Sequence, residues 1–166
     1  MVMLIIRHAN DEQIPKKYRH DKEITREGKE TAKKLAKFLI HKYGYPDVIY
    51  CGPMRRTEQT MNRMKKYVGN NVKIVIDNRL SRYFNSREKR RPSIFTVTHR
   101  RNIPINETKR GFKKRCDSFL RYIKSKNQKK KKNVWIISHA MVLKRISKKL
   151  RIRIPRYLNF LEYYRI

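Results

Sequence analysis

Two short apolar runs in this 166-residue chain each end in a histidine. Leu4-Ile5-Ile6 leads straight into Arg7-His8, and Val134-Trp135-Ile136-Ile137 leads into Ser138-His139. Charged and titratable side chains are costly to bury, so strands that carry them at their tips are aiming them at something. An imidazole whose second nitrogen is held by a hydrogen bond has a fixed tautomer and can act as a nucleophile. Arginine offers a planar, permanently charged fork that grips oxyanions. Arg7 adjoins His8, and Arg55 and Arg56 both follow a break at Gly52-Pro53. Two imidazoles with two guanidiniums suit phosphoryl transfer, which needs an in-line nucleophile and positive groups around the equatorial oxygens. In that chemistry His8 attacks phosphorus, and Arg7 with either Arg55 or Arg56 holds the phosphoryl oxygens. His139, protonated beside the dianion, adds a donor that strengthens in the transition state. Water then hydrolyses the phosphohistidine. The scheme requires no metal and no cofactor, and no residue pattern suggests a site for either. Taken alone, a strand-end histidine is more simply a satisfied polar group; the joint arrangement carries the argument.

The elements that must position these groups alternate along the chain. Val2–Ile6 reads as a buried strand, being β-branched and Leu residues without polar interruption. Ala9–Glu23 is polar, contains Pro15, and reads as a loop. Thr25 is an N-cap candidate, followed by Glu27 and Glu30 in an acidic first turn. Ala32, Leu35, Ala36, Leu39 and Ile40 then recur at helical spacing up to Gly44. Asp47–Cys51 is a second strand. Pro53 fits the first position of a second helix, whose inner face is Met54, Thr57, Met61, Met64 and Val68, the methionines as core filler. Val72–Ile76 is a third strand. Asn78–Ile105 is irregular and basic, with Arg87, Lys89, Arg90, Arg91, Arg100 and Arg101, and reads as a cap or lid with a short strand at Ile94–Thr98. A helix from Thr108 turns Phe112, Cys116, Phe119, Leu120 and Ile123 inward. Lys129–Lys132 is a solvated turn, Val134–Ser138 a fourth strand, Met141–Leu150 a helix and Asn159–Tyr164 a last strand. This order predicts an α/β fold with parallel crossovers. Ligands in such sheets bind beyond the strand C-termini, where both histidine tips fall.

In order and spacing, four of these segments resemble the histidine phosphatase superfamily, which includes the cofactor-dependent phosphoglycerate mutases. They are Arg7-His8-Ala9, the helix start Ile24-Thr25-Arg26-Glu27-Gly28, the turn Gly52-Pro53-Met54-Arg55-Arg56-Thr57-Glu58-Gln59-Thr60, and Ser138-His139-Ala140. The resemblance spans about residues 2 to 150. It implies a phosphoglycerate mutase-like three-layer sandwich, with a mostly parallel central sheet flanked by helices, in a single domain of residues 1–166 with a basic cap at about 78–105. It implies catalysis by His8, Arg7, Arg56 and His139, with Arg55 a rim charge. Asn10, Arg82 and Glu88 are candidates for substrate contact. His20 and His41 read as surface residues and His99 as a rim residue.

The departures bear on mechanism. Ala9 replaces a glycine, though its carbonyl can still orient His8, and Gly52 replaces a serine. Family members commonly carry a glutamate after the third strand in a Leu-x-Glu context, whereas here the residues are Leu80-Ser81-Arg82. Another branch has an aspartate after the second histidine; here it is Ala140. Arginine cannot protonate a leaving oxygen. Three explanations stand. Glu88 supplies the proton, despite surrounding arginines that lower its pKa. Alternatively the leaving group needs no acid, as in a phosphoanhydride, acyl phosphate or phosphohistidine. In the third case the chain binds phosphorylated ligands and turns them over poorly. Mutase activity is the weaker expectation, since the chain lacks long insertions that would close a pocket over a bisphosphate.

Net charge is +32, and residues 78–166 carry 28 Lys/Arg against 4 Asp/Glu. Such a field attracts polyanions, whether a phosphorylated small molecule, a phosphoprotein or nucleic acid. Solubility is the plainer explanation, and no zinc-finger, RNA-recognition or basic-zipper signature accompanies the charge. The expected protein is therefore a phosphatase on an anionic substrate; the alternative is a weak or inactive phosphatase scaffold that binds polyanions. No run approaches the roughly 20 apolar residues of a membrane span, and no signal peptide is evident. Cys51 and Cys116 are too few for a disulfide framework, which fits a reducing, cytoplasmic setting.

Overall fold

A computed structural model describes residues 2–12, 22–84, 107–127 and 131–166. The strand expected at Ile94–Thr98, His20, Glu88, His99, the basic cluster from Arg87 to Arg101 and most of the expected cap lie outside the described residues.

Five strands form one sheet: β1 (Met3–Arg7), β2 (Val48–Cys51), β3 (Lys73–Ile76), β4 (Val134–Ser138) and β5 (Tyr163–Arg165). Their order is β3-β2-β4-β1-β5, with every pair parallel except β1 and β5. The helices are α1 (Arg26–Tyr43), α2 (Arg55–Val68), α3 (Lys109–Asn127) and α4 (Ala140–Lys149).

The apolar runs are continuous rather than alternating because both sheet faces are covered. Leu4, Ile6, Ile49, Cys51, Trp135 and Ile137 join the core under α1 and α2. Ile5, Val48, Tyr50, Val134 and Ile136 face the opposite way, into the core under α3 and α4. This is the expected three-layer sandwich. The inward residues foreseen for α3 are all buried, as are Val142, Leu143 and Ile146 of α4. Thr25 caps α1 by accepting from the Gly28 amide at 2.9 Å, and Thr108 precedes α3 and accepts from the Gly111 amide at 3.0 Å. Both cysteines are buried and free; burial pushes the Cys116 thiol up to about 12, so it is unreactive in the folded protein.

Two expectations need correction. Pro53 does not open α2. Met54 is the N-cap in extended conformation and the helix starts at Arg55, since the chain leaving β2 must turn before its amides can be engaged. Asp11, near the start of the expected loop, forms an isolated antiparallel bridge with Ile24, which leaves the loop reading in place. The last strand begins at Tyr163 rather than Asn159. Leu161 has φ 56°, and this left-handed residue interrupts the extended run.

Register sets the position of the site. Arg7 pairs with Ser138 across β1 and β4, so His8 and His139, one residue further along each strand, emerge side by side. Cys51 pairs with Ile137, which brings Gly52 and the start of α2 to the same edge.

Candidate active site

His8 and His139 are 4% and 6% exposed, with ring centroids 5.0 Å apart at an interplanar angle of 61°. The His8 Nδ1 lies 2.9 Å from the Ala9 carbonyl oxygen. A carbonyl only accepts, so Nδ1 carries the proton and the Nε2 lone pair is available. Alanine in place of glycine therefore leaves the orienting bond intact. His139 holds the opposite tautomer. Its Nδ1 lies 3.4 Å from Arg56 Nη2, and a guanidinium only donates, which leaves the proton on Nε2. That buried Nε2 has no hydrogen-bond partner among the described residues.

Burial holds the His8 pKa well below its ordinary value, and the charge of Arg56 lowers it further. Burial likewise dominates at His139, reinforced by Arg56, His8, Arg82 and Arg7. Without a bound anion the His139 ring therefore favours its uncharged form and presents a neutral Nε2–H. Unfolded histidine titrates near 6.5 and these two resist protonation when folded. The unfolded chain therefore binds more protons below that pH. Stability is present above pH 6.5 and is lost as pH falls, at a slope approaching about 1.4 kcal/mol per pH unit per histidine. Melting curves between pH 7.5 and 5.5 should show this, and His139→Gln should flatten part of it. A slope unchanged by His139→Gln would contradict the burial argument.

Arg56 is 5% exposed in the first turn of α2, with its Nε 3.5 Å from the Asp11 carboxylate. Around it each residue of the Arg-Thr-x-Gln-Thr motif has a structural task. The Thr57 hydroxyl lies 2.7 and 2.6 Å from the carbonyls of Gly52 and Met54 and shares its single proton between them. Gln59 accepts from the Ile24 amide at 2.8 Å. Thr60 accepts from the Ala9 amide at 3.0 Å and donates to the Arg56 carbonyl at 2.7 Å. The motif thus locks the His8 loop to α2. Arg55 is exposed and pairs with Glu23, as a rim charge should.

Arg7 donates through Nη1 to the Leu158 carbonyl, and its guanidinium lies 4.1 Å from the centroid of Phe160. Phe160 also packs 5.5 Å from the His8 ring. Asn10 acts through its backbone: its carbonyl accepts from the Thr25 amide at 2.9 Å. A Cβ on Gly28 would come 2.7 Å from that same oxygen, so the helix start can lie against the loop only without a side chain. Gly28→Ala should cost about 1–3 kcal/mol by overpacking, read as a lowered denaturation midpoint; an unaltered midpoint would contradict this packing.

Gly52 has the same kind of explanation. A Cβ there would meet the Leu80 carbonyl at 2.8 Å. Ser138 donates to that carbonyl at 2.7 Å, and Arg115 Nη1 donates to the Arg79 and Ser81 carbonyls at 2.7 and 3.0 Å. The short 3-10 turn Asn78–Leu80 is therefore pressed against the strand tips. It delivers Arg82 close enough to lower the His139 pKa. Arg82 is half-buried, with its guanidinium 4.8 Å from the Phe84 ring centroid.

Asp11, Leu158, Phe160 and Glu162, whose carbonyl accepts from the Arg7 amide at 3.0 Å, belong to this neighbourhood and were missed. Asp11 follows His8 by only three residues, which was a usable signal. The 158–162 segment had none, since its apolar residues also fit a strand. Two helix N-termini, α2 after Met54 and α4 after His139, open at this edge without side-chain caps, adding positive potential. Among the described residues no three His, Cys, Asp or Glu side chains cluster as metal ligands. No described helix is long and apolar enough to cross a membrane.

The model of the histidine phosphatase superfamily, branch 1, matches residues 3–156. The chain belongs to this superfamily. No curated protein matches it in sequence. Among solved structures, this histidine phosphatase is similar to the ecdysone phosphate phosphatase of Bombix mori in complex with tungstate. That match has 16% identity and a TM-score of 0.74, covering 98% of this chain and 87% of the other. It is also similar to the protein histidine phosphatase SixA complexed with tungstate, at 13% identity and a TM-score of 0.71, covering 99% and 86%. A mycobacterial glucosyl-3-phosphoglycerate phosphatase gives 12% identity and a TM-score of 0.72, covering 99% and 88%. At these identities the likeness is one of fold, the phosphoglycerate mutase-like sandwich.

Proposed function

We propose that this histidine phosphatase hydrolyses phosphoric esters or anhydrides, without a metal, through a phosphohistidine at His8. The observation that carries the reading is the pair of opposed tautomers. His8 offers a lone pair on Nε2, and His139 offers a proton on Nε2 from a ring 5.0 Å away. The His8 Nε2 attacks phosphorus and a P–N bond forms as the bond to the leaving oxygen breaks. Arg7, Arg56 and the His139 Nε2–H hold the equatorial oxygens, as preorganised donors that gain strength when charge develops. Water then attacks phosphorus, the P–N bond breaks, and His8 recovers its lone pair as phosphate leaves.

The leaving group is the second part of the proposal. Arg82 stands where family members have an acid, and Asp11 is engaged with Arg56 at 3.5 Å and Lys22 at 3.7 Å. Both points favour substrates whose leaving group takes no proton from the enzyme: acyl phosphates, phosphoanhydrides, or a phosphohistidine whose ring already carries its proton. General acid catalysis is worth about 10²–10⁴-fold, so alkyl phosphates should be slower by that order. The test is a series of aryl and alkyl phosphates assayed with chelator present. The expected result is turnover that resists the chelator and falls steeply as leaving-group pKa rises. Loss of activity in chelator, or a flat dependence on the leaving group, would contradict the proposal.

A further inference from the structure

The phosphoryl site leaves one strongly charged surface without a role. From Lys144 to Arg156 the sequence holds seven cations and no acid. Arg145 is committed to Asp117, with Nε 2.9 Å from its carboxylate. Lys148, Lys149, Arg151, Arg153 and Arg156 are all exposed. No carboxylate of a described residue forms a salt bridge with any of these five. Next to them Tyr157 is 77% exposed, with Lys144 and Arg156 at 5.8 and 5.7 Å from its ring centroid.

One backbone detail, shared with Lys131 at φ 47°, adds to the charge and the exposed ring. Arg151 has φ 59°. Its amide donates to the Lys148 carbonyl at 3.2 Å, and the Ile152 amide donates to the Ser147 carbonyl at 2.9 Å. This is the motif that ends a helix with a left-handed residue, a position glycine fills without strain. An arginine held there keeps its charge at a conformational cost, and such outliers concentrate at functional surfaces. The track also leads somewhere. Leu158, directly after Tyr157, accepts from Arg7, so the track ends at the rim of the phosphoryl site.

We propose that the surface from Lys148 to Tyr157 binds single-stranded nucleic acid, with phosphates on the cations and a base stacked on Tyr157. Proteins that hold single strands without sequence readout combine these two parts, a cationic path and an exposed aromatic platform. An acidic peptide needs the cations but has no use for the ring. A duplex keeps its base faces stacked inside and offers none to Tyr157. The half-buried Ile152 and Ile154 between the arginines leave no apolar patch for a lipid surface.

The test uses the full chain and a fluorescein-labelled oligothymidylate, followed by anisotropy over a salt series. Binding should weaken with salt, and the logarithmic slope should fall by about 0.7 for each cation removed among Lys148→Gln, Lys149→Gln, Arg151→Gly and Arg153→Gln. Arg151→Gly should melt no lower than the parent, so its weaker binding cannot be assigned to unfolding. Tyr157→Ala should lower affinity about tenfold. His8→Ala should bind like the parent, which keeps this proposal separate from the phosphatase reading. Unchanged binding by Tyr157→Ala, equal affinity for the duplex, or displacement by polyglutamate charge for charge would each overturn it.

Discussion

His8→Ala should lose activity toward an aryl phosphate by about 10⁴-fold or more, the scale on which removal of a covalent nucleophile is felt. The geometry makes the expectation strict. The Ala9 carbonyl fixes the proton on Nδ1, and the neighbouring His139 cannot substitute, because its own Nδ1 faces Arg56. Its proton is thereby placed on Nε2, where a nucleophile would need a lone pair. Steady-state assays of purified parent and variant measure the effect. Comparable turnover in the two would remove His8 from the mechanism.

Arg56→Met should reduce kcat/KM by about 10²–10³-fold, the range for loss of one preorganised charge-stabilising donor. It should also move the pH profile. The proposed attack requires a neutral His8, and its pKa is held down first by burial and then by Arg56. Removing the guanidinium leaves burial in place but lifts the second contribution, so the His8 pKa rises. The acid limb of kcat/KM, which reports the free enzyme, should therefore shift to higher pH. A rate loss with an unmoved acid limb would mean that Arg56 does not set the field at His8. The variant loses a partner for Asp11, which retains Lys22 at 3.7 Å; a melting curve checks that the fold survives.

How far the site could be read from residues follows from what kind of order each part depends on. The strand tips were legible because a continuous apolar run must be a covered strand, and the polar residue that ends it must leave the core. Leu4–His8 and Val134–His139 carried that signal in full. Parallel pairing then brings the two tips together without further instruction. The role of Thr25 was legible too, because a cap is a local interaction between neighbours in sequence.

What resisted reading was long-range. Phe160 reaches the ring of His8 from the far end of the chain, and nothing in Asn159–Glu162 announces a turn, since Leu161 adopts a left-handed conformation without being glycine. Gly52 looked like a lost serine. Its meaning lies in the Leu80 carbonyl, which would stand 2.8 Å from any Cβ there. The same approach explains why Leu80-Ser81-Arg82 sits so near the histidines. The preference of the unliganded His139 ring for its uncharged form was hidden for a related reason. Sequence shows the arginines but not how completely the ring is withdrawn from water, and withdrawal is the larger cause.

The central claim is that the Nε2 of His8 becomes covalently bonded to phosphorus during turnover. The most direct measurement is rapid quench of the enzyme with an activated phosphate donor, followed by peptide mapping and phosphorus–nitrogen NMR of the adduct. An acid-labile, base-stable phosphate on His8, attached at Nε2, is the expected adduct. A phosphate on any other residue, attachment at Nδ1, or turnover with no adduct above background would contradict it.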